Sequence, residues 1–415
     1  MPRGTEKGKT ARSDPAVASA ANRLTGGIVI AALFMGSTIL TPLYDLYRLA
    51  YDFSAFTLVM LYAVYVVGNL LALFFLGRLS DQIGRKPVIL AAVGLAGLSA
   101  ALFLQAHSLG WLFIARVISG LAVGMGSGAA AAWITEFTPA ERRARAAAVM
   151  TGFNFVGLTL GPLVAGAVAQ YAPHPLRLPF GVYLVILGVT AGLVATRPET
   201  VAERTSLTFS LRLGVPAGVR AAFVAPACSG FAAMAVVGFY AALGPTIVRE
   251  DLHIANHAVA SAIVAELFIV GTILIFATRD AAPRQTMLAG LAVTPVGLAT
   301  LIAAQRLGSL PLLLIGTAVC GAVGALGYRG GLAVANSLAP PERRAEVASV
   351  FFVCCFCGNA LPIIGVGALA MVTSAHAADL AFAMVISLVA TGASVAAFAA
   401  RSRSERPSVQ GKRDD

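Results

Sequence analysis

GRLSDQIGRKP, residues 77–87, is a short polar stretch between two apolar runs at 56–76 and 88–106. Each run is long enough to cross a hydrocarbon core of roughly 30 Å. The stretch is therefore read as a tight hairpin between two membrane spans. Gly77 and Gly84 suit a sharp reversal where backbones come close. Asp81 offers a carboxylate to helix-end N–H groups that lipid cannot satisfy. Arg78, Arg85 and Lys86 assign the turn to the positive, cytoplasmic side.

The rest of the chain has the composition of a membrane protein. Of its 415 residues 58% are hydrophobic and only 12% charged, where soluble domains carry about 25% charged residues. The net charge of +11 does not point to nucleic acid, because the basic residues recur in short loops and tails without a continuous patch or interleaved aromatics. Cys228, Cys320, Cys354, Cys355 and Cys357 all fall inside apolar runs and read as small packing residues, not as disulfides or metal ligands. No cofactor is implied.

Twelve apolar runs have spanning length: 25–46, 56–76, 88–107, 110–134, 146–170, 178–196, 219–247, 258–278, 286–305, 309–336, 346–373 and 378–400. The expected fold is all-α and integral to the membrane. Residues 1–24 form a basic N-terminal tail, 25–196 a first six-helix bundle, 197–218 a linker, 219–400 a second bundle and 401–415 a C-terminal tail. With the N-terminus inside, the opposite side keeps only Arg48, Arg177, Arg249 and Arg306, so both tails and the linker are expected in the cytoplasm and the chain in the inner or plasma membrane. All five histidines fall on the outer side and read as solvated loop residues, with sensing of external pH as the alternative.

An internal repeat supports the division. The block from Pro139 through Glu141, Arg142 and Arg143 to Ala144 recurs from Pro340 through Glu342, Arg343 and Arg344 to Ala345. In that register Val149 meets Val350, Phe155 meets Phe356, Gly157 meets Gly358, Leu160 meets Leu361 and Gly166 meets Gly367. Pro42 and Gly68 likewise answer Pro245 and Gly271.

The 77–87 hairpin resembles the loop between helices 2 and 3 of the major facilitator superfamily of secondary transporters. Gly77, Asp81, Gly84, Arg85 and Lys86 match its pattern, and Gln82 departs from it where an arginine is usual. The resemblance implies two pseudo-symmetric six-helix halves with substrate held between them near the midplane. It also implies that Glu136 pairs with Arg85. When such a carrier is open outward, the matching aspartate, here Asp81, would cap the start of the eleventh span near Glu346 and Val347. The counterpart loop at 279–284 lacks the glycines and the basic pair.

Two further stretches look similar to motifs of this superfamily. Arg116, followed by Gly120 and Gly124, stands on the fourth span; a guanidinium there costs about 3 kcal/mol on insertion scales and must face protein or water. Its functional reading is binding of an anionic substrate or tuning of a carboxylate, and its structural reading is snorkelling to the interface. Gly157, Gly161, Pro162 and Gly166 on the fifth span resemble the antiporter motif, a strip of small residues with a proline kink.

Glu266 is placed by physics alone. It lies mid-span among Ala262, Ile263, Ile269 and Val270, a setting that disfavours its charged form and suits it to carry a coupling proton. The alternative is a fixed pairing with another helix. Asp45, beside Arg48 at the end of the first span, reads as a gate, a cation site or part of an interfacial belt. Tyr62, Tyr65, Asn69, Asn154, Tyr240 and Asn359 are suited to hydrogen-bond a substrate or one another. The expected activity is alternating access with proton-coupled export of a small organic compound. The alternatives are proton-coupled import of an organic acid or sugar and, further off, a membrane-embedded enzyme or receptor. The sequence holds no intramembrane His/Asp cluster, serine-nucleophile motif or nucleotide loop, so no enzymatic activity is expected.

Overall fold

The computed structural model describes residues 15–201 and 214–404. Among them twelve helices are long and apolar enough to cross a membrane. The first half holds α1 (Ser19–Tyr51), α2 (Ala55–Leu76), α3 (Arg85–Leu104), α4 (Leu109–Glu136), α5 (Val149–Tyr171) and α6 (Leu178–Ala195). The second holds α7 (Ala217–Glu250), α8 (His257–Ala277), α9 (Pro283–Leu307), α10 (Leu310–Leu338), α11 (Arg344–Val372) and α12 (Ala375–Phe398). Helices are what such runs must form, since lipid offers no partner for an unpaired backbone group. The sequence expectations for residues 1–14, 202–213 and 405–415 lie outside the described residues.

The first helix departs from its expected bounds at both ends. It begins at Pro15, inside the stretch read as a tail. Ser19 Oγ and Arg23 Nη1 explain this extension, because they donate to the Phe137 carbonyl at the end of α4, at 2.8 and 3.0 Å. At the far end the α-helix stops at Thr38, a 3₁₀ turn follows at Thr41–Leu43, and a short helix runs over Tyr44–Tyr51. Pro42 sits inside that turn, where its missing N–H and fixed φ break the regular ladder.

A second irregularity lies in α10, whose turns widen to i→i+5 bonding over Val323–Gly327. There the Gly327 carbonyl accepts a bond from Ser229 Oγ of α7 at 2.9 Å. The backbone is thus re-satisfied from a neighbouring helix.

The repeat seen in the sequence is a repeat of close approaches. A Cβ on Gly157 of α5 would fall on the backbone of Ala31 in α1, and one on Gly358 of α11 would fall on the backbone of Phe231 in α7. Gly120 of α4 presses in the same way on Tyr65 of α2, and Gly321 of α10 on Leu267 of α8. Only glycine permits these crossings, and each half uses them at equivalent positions. Between the halves, α8 packs along α5 and α11 along α2. Here too the contacts correspond: Gly166 of α5 meets Ser261 of α8, and Gly367 of α11 meets Val59 of α2.

Candidate functional site

The hairpin places the start of α3, the end of α4 and the end of α6 on one face of the molecule. Gly84 turns the chain with φ of 113° and ψ of 151°, a backbone region that side chains rarely adopt, and α3 begins at the next residue. The first turn of α3 reads Arg85, Lys86, Pro87 and contains no capping side chain of its own. Its cap comes from Glu199, just beyond α6. The two carboxylate oxygens accept from Arg85 N at 2.9 Å and Lys86 N at 3.0 Å, and Oε1 also accepts from Thr200 N and Val201 N. Burial alone would raise the Glu199 pKa, but these four backbone donors outweigh it and hold the carboxyl below its ordinary value. Lys86 Nζ completes the join by donating to the carbonyls of Ala195 and Arg197.

Arg85 organises the charges above that turn. Its guanidinium pairs with Asp81 and, at 2.9 Å, with Glu136 of α4, and it donates to Ser80 Oγ at 2.7 Å. Thr200 Oγ1 also reaches Glu136. The structure therefore brings together Asp81, Arg85, Lys86 and Glu136, with Gly84 as the turn; Gly77 lies one helical turn from the Leu73 carbonyl. Asp81 is engaged within its own half. The first turn of α11 has no side-chain cap, and Glu346 pairs with Arg343 at 2.8 Å.

Arg116 does not reach an interface. It is 1% exposed, donates to the Ser37 carbonyl at 3.0 Å and the Leu61 carbonyl at 3.4 Å, and lies over the Tyr65 ring at 4.9 Å. Ser37 immediately precedes the break in α1, so the guanidinium serves a carbonyl at a helix end. Gly157 and Gly161 likewise seat α5 on α1, against Ala31 and against Met35, Thr38 and Ile39, while Gly166 crosses to α8. Pro162 lies within α5 between these contacts.

On the face away from the hairpin, the two halves are joined by charge. Asp45 is 5% exposed, its Oδ2 lies 2.9 Å from Arg249 Nη1 of α7, and Thr246 Oγ1 donates to its Oδ1 at 3.4 Å. Arg48 approaches Glu250 at 3.9 Å, and His257 N donates to Gln170 Oε1 at 2.9 Å. Deeper, Tyr62 Oη donates to Asn359 Oδ1 at 2.8 Å, so these two polar side chains partner one another. The Thr41–Leu43 turn is where α1 meets α7. A second polar cluster sits beside this seam within the second half. His376 Nε2 lies 3.3 Å from Asp251 Oδ1, and Gln305 Nε2 donates to the buried Asp379 at 2.7 Å. Burial raises the Asp251 pKa, with His376 acting against it.

Glu266 stands halfway along α8, half-buried, with Oε2 enclosed and without a hydrogen-bond partner. Its pairing with another helix is not seen. Sequence reasoning singled out Asp45 but missed Arg249 and Glu250, although the Pro42/Pro245 correspondence places both pairs at equivalent helix ends. It also missed Glu199 as a cap. The signal was a helix opening on Arg85 and Lys86 with no Ser, Thr, Asp or Asn before it.

Comparison with known proteins fits this geometry. The sequence profile of the Major Facilitator Superfamily matches residues 26–279. The class H tetracycline resistance protein of Pasteurella multocida is 34% identical over 121 residues, 29% of this chain and 29% of that protein. The quinolone resistance protein NorA of Staphylococcus aureus is 26% identical over 163 residues, 39% of this chain and 41% of that protein. The chain thus spans well under half the length of these curated relatives. Two solved structures share the fold. A bacterial homologue of the human lysosomal transporter Spinster, inward-facing and unoccupied, superposes with a TM-score of 0.68 at 15% identity, covering 93% of this chain and 96% of that one. The nucleoside transporter NupG, in a point-mutant form, gives 0.70 at 16% identity, covering 90% of this chain and 99% of that one.

Proposed function

The chain belongs to the major facilitator superfamily, and on that premise we propose that it is a proton-coupled exporter of a small organic compound working by alternating access. The observation that carries the reading is the seam on the face away from the hairpin. Asp45 and Arg249, from different halves, form an ion pair with Asp45 buried at the point where α1 meets α7, while Asp81 pairs within its own half and the first turn of α11 carries no side-chain cap. One face is latched and the other is not. Exchange of these two sets of contacts is the change that passes a solute from one side to the other.

The hairpin face is the cytoplasmic one in this reading, as its basic residues require, and the membrane is the inner or plasma membrane. Outward movement is supported by the relatives, which are named for resistance to tetracycline and to quinolones. Glu266, an acid with an unpartnered oxygen in an apolar helix, is the proposed proton carrier. Asp45 and Arg249 form the gate. The hairpin is the conformational switch, with Asp81 released from Arg85 to cap α11 in the outward-open state.

The test is transport by the purified protein in sealed vesicles under an imposed pH gradient, with a panel of small organic compounds. Solute should move against the direction of proton flow, and Glu266→Gln should abolish the dependence on the gradient. Solute moving with the protons would establish import instead. That second reading draws on Arg116, whose two donors go to neutral carbonyl oxygens and whose charge suits an organic anion.

A further inference from the structure

Arg116 is a buried cation whose described partners are all neutral. Its Nε donates to the Leu61 carbonyl of α2 and its Nη1 to the Ser37 carbonyl of α1, and its guanidinium carbon lies 5.9 Å from the centre of the Tyr62 ring and 4.9 Å from that of Tyr65. Nη2 makes no hydrogen bond to a described residue. Among the described residues no carboxylate is paired with Arg116, and Asp45 is taken by Arg249. Carbonyl dipoles and ring faces offset part of the cost of burying a charge; a counter-ion offsets the rest.

Tyr44 supplies an independent observation at the same place. Its side chain is 2% exposed, its ring stands edge-on to Tyr62 at 6.5 Å, and the charge of Arg116 acts on it, yet its hydroxyl is enclosed without a hydrogen-bond partner. Buried hydroxyls find partners. A guanidinium only donates and the Tyr44 O–H also has a proton to give, so the group both can share is an acceptor. Beside an unpaired cation that acceptor is an anion. The enclosure of both side chains limits it to about the size of a single atom, and one guanidinium balances one negative charge.

We propose that Arg116 and Tyr44 bind a small monovalent inorganic anion, chloride in size and charge, inside the first half. Arg116 Nη2 and Tyr44 Oη donate to it, and Tyr62 and Tyr65 close the cage. The ion is held and not carried. Ser37 and Tyr44 stand on either side of the break in α1, so the bound ion ties the two pieces of that helix to α4. Asp45 follows Tyr44 directly, and occupancy therefore fixes the segment that meets Arg249 at the latched face. This effect on the latch rests on the alternating-access reading; the site itself does not.

Thermal unfolding of the purified full chain tests the site. The protein is exchanged into sodium gluconate, and sodium chloride is titrated in at constant sodium concentration. Chloride and bromide should each raise the unfolding temperature saturably, and gluconate should not. Arg116→Gln should abolish the response. Tyr44→Phe keeps the ring and loses only the hydroxyl, so it carries the test even where the arginine variant does not fold; its half-saturating chloride concentration should rise about tenfold, which corresponds to 1.4 kcal/mol. Tyr47→Phe, whose hydroxyl serves the Leu176 carbonyl, should respond as wild type does. Equal stability in chloride and gluconate would mean a bridging water only and would overturn the site, as would an unchanged chloride response in Tyr44→Phe. The effect on the latch is read separately, from the reactivity of a cysteine replacing Ala260 toward an impermeant thiol reagent at fixed pH. Withdrawing chloride should raise that reactivity, and a reactivity indifferent to chloride would overturn the role given to the ion. Neither readout involves flux, so failure of the export reading and failure of the anion site are distinguishable.

Discussion

Asp45 and Arg249 form the ion pair on which the latched face depends. Asp45 is almost wholly buried, so loss of Arg249 would leave its charge poorly solvated, a penalty of about 3 kcal/mol; loss of Asp45 costs less, because Arg249 is partly exposed and also pairs with Glu250. Asp45→Asn should open that face, so that a cysteine replacing the buried Ala260 beside it becomes reactive to an impermeant thiol reagent. The double exchange Asp45→Arg with Arg249→Asp should restore protection, and failure to restore it would reduce the pair to an incidental contact. Glu199 gives a second prediction. Its folded carboxyl titrates below the ordinary glutamate value, so the stability it contributes is complete above the unfolded pKa and is lost as pH falls through the lower, folded one. Glu199→Ala should cost about 1 kcal/mol at neutral pH, the usual value of a helix cap, with the difference from wild type shrinking under acid. Thermal unfolding across a pH series reads both effects. Asp45 was legible in the sequence as a polar group at the mouth of a span. Its partner was not, because Arg249 lies far along the chain in the other half and nothing local specifies the pairing.

At the scale of the helix, the glycines decide which elements touch. Gly157 and Gly358 stand where a side chain would enter the backbone of the neighbouring helix, whereas a Cβ at Gly94 would meet nothing within 4 Å. Gly157→Leu and Gly358→Leu should each destabilise by about 1–3 kcal/mol, the range for overpacking, and Gly94→Leu should be silent in the same unfolding assay. Equal effects at all three would mean the crossings are loose. The twelve spans could be read from the chain because lipid allows them no other structure. The interruptions could not. The break after Thr38 has a local cause in Pro42, but the Ser37 carbonyl beside it is satisfied by Arg116 from another helix, and the widened turns of α10 receive a bond from Ser229 of α7. The extension of α1 back to Pro15 rests on contacts with Phe137. Each is a tertiary bond without a periodic signature.

For the whole molecule, the repeat in the sequence became a repeat in space: Gly166 on Ser261 across one side of the interface, and Gly367 on Val59 across the other. Which face those halves close on could not be read from the chain, since a single sequence encodes both arrangements. Asp81 belongs to this scale. It pairs with Arg85 here, and in the opposite arrangement it would face the start of α11, so Asp81→Asn should shift the population toward the state described; about 1.4 kcal/mol would make that shift tenfold. Protection of the Ala260→Cys site should rise in this variant. The most direct test of alternating access is a pair of spin-label distances in lipid, in a background freed of the five native cysteines. Leu49 and His253 mark the latched face, and Thr196 and Ser337 the hairpin face. On changing pH or adding a transported compound, the first distance should lengthen while the second shortens. Both distances fixed, or both lengthening together, would contradict a carrier of two rocking halves.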